Sequence, residues 1–134
     1  MRDINHLAYV RADRFYKRGR FKAAAKWFAI SLNAHPQDWQ ALWALGDTYS
    51  ELKKPAKALS FFSQAIEVAP RTEASNLNYN LGNALFDLGC YSAAIKSYSK
   101  VLPTSKVSVM SAKNIELSMQ HLASQPNLSI KRNA

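Results

Sequence analysis

The sequence reads as an all-α chain of 134 residues, in which three helix-turn-helix repeats stack into a solenoid and a seventh helix caps the last of them. Three patterns carry that reading. Landmark residues return after 34 and then 36 residues, which gives blocks at 5–38, 39–72 and 75–108. Small residues recur where the helices of one hairpin must approach closely, and those on each second helix are followed four positions later by a large ring on the same face. Prolines stand two or three residues beyond the last periodic apolar position of the first two blocks, where a helix cannot continue.

Each element follows from these marks. In the first block, Ala12 is the small residue of the leading helix, Gly19 sits in the turn, and Ala24 with Phe28 marks the second helix, which ends before Pro36. The second block repeats this with Gly46, a Lys53-Lys54-Pro55 turn, the Ala58 and Phe62 pair, and Pro70. Pro55 suits the first position of a new helix, where its missing N–H costs nothing. Residues 71–74 form a polar junction that absorbs the two extra residues of the longer period. The third block has Gly82, Gly89, Ala94 and Tyr98 in register.

A solenoid end needs a cover, because each hairpin leaves one apolar flank open. Residues 109–123 are predicted to supply it as a capping helix. Ala112, Ile115, Met119 and Leu122 recur at helical spacing and are expected to cover surface near Val101 and Leu102, leaving Lys113, Asn114, Glu116, Gln120 and His121 to water. The reading is one domain over 1–124 and a disordered polar tail over 125–134.

These residues resemble the tetratricopeptide repeat (TPR) family over 5–108. The middle block is the nearest match, with Leu45-Gly46, Tyr49, Ala58, Phe62, Ala65 and Pro70; the third departs at Leu85 and Lys106, and the first has Arg11-Ala12 where the family has Leu-Gly. The resemblance implies a right-handed superhelical solenoid whose first helices line a concave groove. Carried across position by position, the groove residues are His6, Tyr9, Asp13, Tyr16 and Lys17, then Gln40, Trp43, Asp47, Ser50 and Glu51, then Asn76, Tyr79, Asn83, Phe86 and Asp87. One position is aromatic in all three repeats, and another reads Asp, Asp, Asn. Rings beside carboxylates and amides suit an extended partner segment that carries apolar and basic residues. Family members that grip chaperone tails use a clamp of Lys, Asn and Arg. At those positions this chain has Tyr9, Asp13, Ala44, Asn76 and Asn80, so the resemblance does not extend to an acidic C-terminal tail.

Charge is the second informative feature. The chain has 18 Lys and Arg against 9 Asp and Glu, a net of +9, and residues 1–26 hold eight basic against two acidic side chains, a net of +6. Arg11, Arg14 and Arg18 share one face of the first helix. That stripe reads either as a solvated end of the stack or as a patch for phosphate, anionic membrane or nucleic acid. The interleaved rings look like core, which makes nucleic acid the weaker form of the idea.

Nothing in the sequence supports catalysis. Cys90 falls in a turn, where a small, half-buried residue is wanted, and His35 falls at a helix C-terminus, where partial positive charge is favoured. No metal-ligand spacing or phosphate-cradling loop appears, so neither a cofactor nor a small-molecule substrate is expected. No apolar run has signal-peptide or membrane-span length, and the one cysteine fits a reducing compartment, so a cytoplasmic location is expected. The functional reading is a non-enzymatic adaptor or chaperone-like module that binds a segment of another protein in its groove. An electrostatic tether through the basic first repeat is the alternative, and self-association through an open apolar flank is a third.

Overall fold

The structure, a computed structural model, describes residues 4–125. All but the first residue of the tail read as disordered therefore lies outside the described residues. Among the described residues seven α-helices run in order: α1 Ile4–Lys17, α2 Phe21–Ala34, α3 Trp39–Glu51, α4 Pro55–Val68, α5 Ala74–Asp87, α6 Tyr91–Ser99 and α7 Ser108–Ser124, with a 3-10 turn, Arg71–Glu73, in the polar junction. There is no strand among the described residues. Each helix packs on its neighbours in chain order, the arrangement of a solenoid of three hairpins and one further helix.

The three hairpin turns are copies of one another. Residues Gly19, Lys53 and Gly89 take φ of +74°, +61° and +79°. On either side, Arg20, Lys54 and Cys90 donate their N–H to Phe15, Tyr49 and Leu85, each at 2.9 Å. Gly19, Lys53 and Gly89 donate to Tyr16, Ser50 and Phe86. This six-to-one and five-to-two pair of bonds is a Schellman motif, which satisfies the orphan carbonyls at a helix end and needs one left-handed residue. Glycine takes that conformation freely, whereas Lys53 takes it against the steric cost of its Cβ. Pro55 opens α4 as expected, and Asp38 caps α3 by accepting from the N–H groups of Gln40 at 3.0 Å and Ala41 at 3.4 Å.

Ala24, Ala58 and Ala94 are fully buried inside their hairpins, as the register requires, and Phe28, Phe62 and Tyr98 are each only 2% exposed. The reason glycine recurs on the first helices is steric. A methyl group at Gly82 would sit 2.6 Å from Tyr98 Cδ1, and one at Gly46 would run into the Phe62 ring. The core divides into two clusters that each bridge a hairpin to the next one. Leu45 of α3 joins Ala12, Ala24, Ala25 and Phe28, while Leu77 and Ala84 of α5 join Leu42, Ala58, Phe62 and Ala65. The repeats are thereby locked in sequence order.

The structure corrects the sequence reading of the C-terminal third. Helix α6 has 9 residues against 14 in α2 and α4. Pro103, which cannot donate an N–H and would clash with the carbonyl of Ser99, stops it early. The following chain is instead pinned to the start of α5, with Leu102 N–H donating to Ser75 Oγ at 3.0 Å. Helix α7 is rotated from the predicted face. Its fully covered residues are Ser111 and Ser118, Ile115 is half-buried, and Asn114 turns inward, while Ala112, Met119 and Leu122 are exposed. Close approach to α6 selects small side chains over large ones. Ser118 lies 36 residues beyond Gly82, as Gly82 lies 36 beyond Gly46, so a small residue again holds the same place. Leu102 remains 62% exposed and is not covered by this helix. His121 stays exposed as expected, and its ring also stacks on Tyr91 at 4.8 Å and meets Phe86 edge-on at 5.2 Å. Cys90 is exposed rather than half-buried.

Because the Gly46 backbone lies directly on the Phe62 ring, Gly46→Ala is expected to destabilise the protein by about 1–3 kcal/mol through overpacking, despite the higher helix propensity of alanine. Thermal denaturation followed by circular dichroism measures this. An unchanged or raised melting temperature would contradict the contact.

Candidate groove

The side chains singled out from the sequence fall on the first helix of each hairpin, and the structure groups most of them into two adjoining cavities. The first, of about 330 Å³, lies between the first two repeats. It is lined by Tyr9, Asp13 and Tyr16 of α1, Phe28 of α2, Trp39, Gln40, Trp43, Ala44 and Asp47 of α3, and Glu73 of the junction. The second, of about 390 Å³, is lined by Asp47, Ser50, Phe62, Asn80, Asn83, Phe86, Asp87, Tyr98, Asn114 and Leu117. Asp47 belongs to both and marks where they meet.

The aromatic positions differ in what holds them. The Tyr9 ring meets Phe28 edge-on at 5.2 Å, Tyr16 meets Phe21 at 5.2 Å, and Trp43 lies against Trp39 at 6.0 Å. All three rings are half-buried and line the first cavity. Tyr79 lines neither cavity and is tilted against Tyr98 at 5.9 Å, so the aromatic row predicted from sequence is continuous only over the first two repeats. Glu51 is exposed beside Asp47, and His6 is also exposed. Asn83 is engaged within the protein, where its Oδ1 accepts from the Tyr98 hydroxyl at 2.5 Å and from Asn114 Nδ2 at 3.3 Å.

Trp39, Glu73, Asn114 and Leu117 also line these cavities without having been singled out as groove residues. Trp39 stands beside Gln40 at the start of its block and could have been found from its ring. The other three come from the junction and from α7, whose orientation the sequence pattern did not reveal.

Carboxylates set the electrostatics. Asp13 is ion-paired with Lys17 at 2.8 Å. Burial, and then the nearby charge of Glu51, pushes the Asp47 carboxyl up to about 7. Burial also raises the Tyr9 phenol, followed by the charges of Asp13, Asp38 and Asp47, and pushes Tyr16 up to about 12 with help from Asp47 and Glu51. The two cavities are thus lined by Asp13, Asp47, Glu73 and Asp87 and by no Lys or Arg, on a chain whose net charge is +9.

A third cavity, of about 370 Å³, gathers Arg11, Arg14 and Arg18 with Phe15 and Trp27, and the Arg11 guanidinium lies 4.9 Å from the Trp27 ring centroid. The three arginines predicted to share a face do so, and all are exposed. No group of three or more metal-ligating side chains occurs among the described residues. None of the described helices is long and apolar enough to cross a membrane.

Family and structural comparisons agree with this architecture. A family model described as tetratricopeptide repeat matches residues 9–76, and a second of the same description matches residues 75–102. Among solved structures, the first TPR of Spaghetti (RPAP3) bound to the HSP90 peptide SRMEEVD is similar at 22% identity, covering 90% of this chain and 94% of that one, with a TM-score of 0.79. The TPR2B-domain:pHsp70 complex of yeast Sti1 is similar at 11% identity over 87% of this chain and 97% of that one, also with a TM-score of 0.79. The Sgt2 TPR domain from Aspergillus fumigatus is 19% identical over 91% and 85%, with a TM-score of 0.75. No curated protein matched the chain.

The raised Asp47 carboxyl makes stability depend on pH with a definite sign. The folded state holds this proton up to about pH 7, whereas an unfolded aspartate releases it near 4, so between those values the folded state binds more protons and stability falls as pH rises. Above about 7 the penalty is complete. Asp47→Asn is expected to raise the melting temperature at about pH 8 while changing it little at about pH 4. Thermal melts of both proteins across that range check this, and parallel curves would contradict it.

Proposed function

The chain belongs to the tetratricopeptide repeat family, and from that premise we propose that it is a non-enzymatic adaptor or chaperone-like module that binds an extended or helical segment of a partner protein in its concave groove. The supporting observation is the first cavity, where rings and carboxylates from successive repeats converge on an otherwise basic protein. Rings supply large apolar contact with little side-chain entropy to lose, and carboxylates accept basic groups or backbone N–H. Two of the structural neighbours are complexes with an HSP90 peptide and with pHsp70, which supports a peptide as the kind of ligand. The ligand here differs in charge. With Tyr9, Asp13, Ala44, Asn76 and Asn80 at the clamp positions, the groove favours apolar anchors with Lys or Arg among them over an acidic tail.

The test is partner affinity after capture from a lysate and identification by mass spectrometry. Trp43 lies in the middle repeat and lines the cavity, so Trp43→Ala is expected to weaken binding by about 2 kcal/mol or more, the scale of an interface hot spot. Lys96→Ala, an exposed change on α6, serves as the control and should leave affinity unaltered. Equal affinity of a folded Trp43→Ala protein would remove the groove reading.

The convergence of Arg11, Arg14 and Arg18 on one cavity favours a second reading, in which the first repeat tethers the protein to an anionic surface. On that reading, replacing the three with Gln abolishes binding to vesicles of anionic lipid or to nucleic acid, and binding of the unaltered protein falls steeply with salt. Absence of any such binding at low salt leaves the stripe as a solvated end of the stack.

A further inference from the structure

The cavity between α1 and α3 has properties that a groove for apolar side chains does not require. Its lining includes three carboxylates, Asp13, Asp47 and Glu73, and no Lys or Arg. Two are already engaged: Asp13 by Lys17 at 2.8 Å, and Glu73 by a hydrogen bond from Asn76 at 3.5 Å. The Asp47 carboxylate is different. Among the described residues it has neither an ion pair nor a hydrogen-bond donor, although it is largely buried where the two cavities meet. A buried acid left without a cation costs stability, and this one shares its cavity with Tyr9, Tyr16, Trp39 and Trp43, rings of the kind that also attract cations.

Building on the groove reading, we infer that this cavity receives one arginine side chain of the bound protein segment, its guanidinium meeting Asp47 and its stem and flat face lying among Tyr9, Tyr16, Trp39 and Trp43. Arginine fits better than a compact ammonium because its guanidinium is planar, stacks on rings, is weakly hydrated and presents a fork of donors to a carboxylate. A volume of about 330 Å³ is at the small end for a ligand site, enough for one long side chain and too little for a folded element.

Among the described residues that line these cavities there is no Lys or Arg to do this work. The charged or titratable groups that face Asp47 are Glu51 on its own helix, Tyr9, Tyr16 and Asp13 from α1, Asp87 from α5, Tyr98 from α6, and Glu73 from the junction. Lys17 is the nearby cation, and it is held by Asp13. With its carboxyl raised to about 7, Asp47 is partly protonated at neutrality. An arriving guanidinium lowers it and expels the proton, so binding tightens as pH rises through 7 and weakens below it.

The experiment titrates the full chain with acetyl-Leu-Ala-Arg-Ala-Leu-amide and with the same peptide carrying citrulline, which keeps the shape of arginine and removes its charge. The indole N–H signals of Trp39 and Trp43 report binding by nuclear magnetic resonance, and Trp27, in the separate arginine-lined cavity, is the internal reference. The arginine peptide is expected to displace both groove signals and to bind about tenfold tighter than the citrulline peptide, with a further tightening of about fivefold or more from about pH 5.5 to 8. Asp47→Asn should bring the arginine peptide to the citrulline level and flatten the pH dependence. Equal binding of the two peptides, undiminished arginine binding in Asp47→Asn, or unmoved Trp39 and Trp43 signals at millimolar peptide would each overturn the arginine site. Equal binding that still moves those signals would overturn only this inference and leave the groove reading standing, since that reading is decided separately by the Trp43→Ala capture experiment.

Discussion

Close approach of paired helices is the constraint from which the rest of the structure follows. Gly46 against Phe62 and Gly82 against Tyr98 leave no room for a methyl group, and Ala24, Ala58 and Ala94 complete the same contact from the second helices. Buried rings then fill the layer beside each small residue. With the helices held so near one another, the hairpin turn must be short, and a single left-handed residue at Gly19, Lys53 and Gly89 makes it so. Helix α7 obeys the same requirement with Ser111 and Ser118, while Val109, Met110 and Met119 are left more than half exposed.

The groove is a by-product of that geometry. Second helices bury their rings inward, so first helices are left to display Tyr9, Tyr16 and Trp43 in the first cavity, held in place by edge or tilted contacts with Phe28, Phe21 and Trp39. Such rings are preorganised, and a ligand that meets them loses little of the protein's own conformational entropy. Asp47 sits where the first two repeats bring their walls together and is desolvated by them. A residue that lowers stability in the free protein and points into a cavity marks a place where binding energy can be recovered, which is the pattern expected when function rather than folding has selected it.

The charge asymmetry has a related origin. Residues 1–26 hold most of the net positive charge, and Arg11, Arg14 and Arg18 gather with Phe15 and Trp27 in one cavity on the first hairpin. The groove face of the same helix carries Asp13, Tyr9 and Tyr16. One helix therefore presents a basic face beside Trp27 and a nearly neutral one toward the first cavity, where Lys17 offsets Asp13 at 2.8 Å. A difference of this kind can orient an approaching charged group before contact forms.

The sequence by itself determined the repeat period, the presence of all seven helices, the buried alanines and rings, and the arginine stripe. Each of these is a local or periodic property: a Cβ that does not fit, a proline that ends a helix, a face that recurs every 3.6 residues. Only the tertiary structure decided how α7 turns, that Tyr79 packs on Tyr98 and lines neither cavity, and that Glu73, Asn114 and Leu117 line the two cavities. The physical reason is the same for all of them. Helix α7 has apolar residues on several faces, so its pattern fits more than one rotation, and the choice falls to whichever face can approach α6 closely. The desolvation of Asp47 is likewise invisible in the chain, because it arises from walls supplied by residues far from it in sequence.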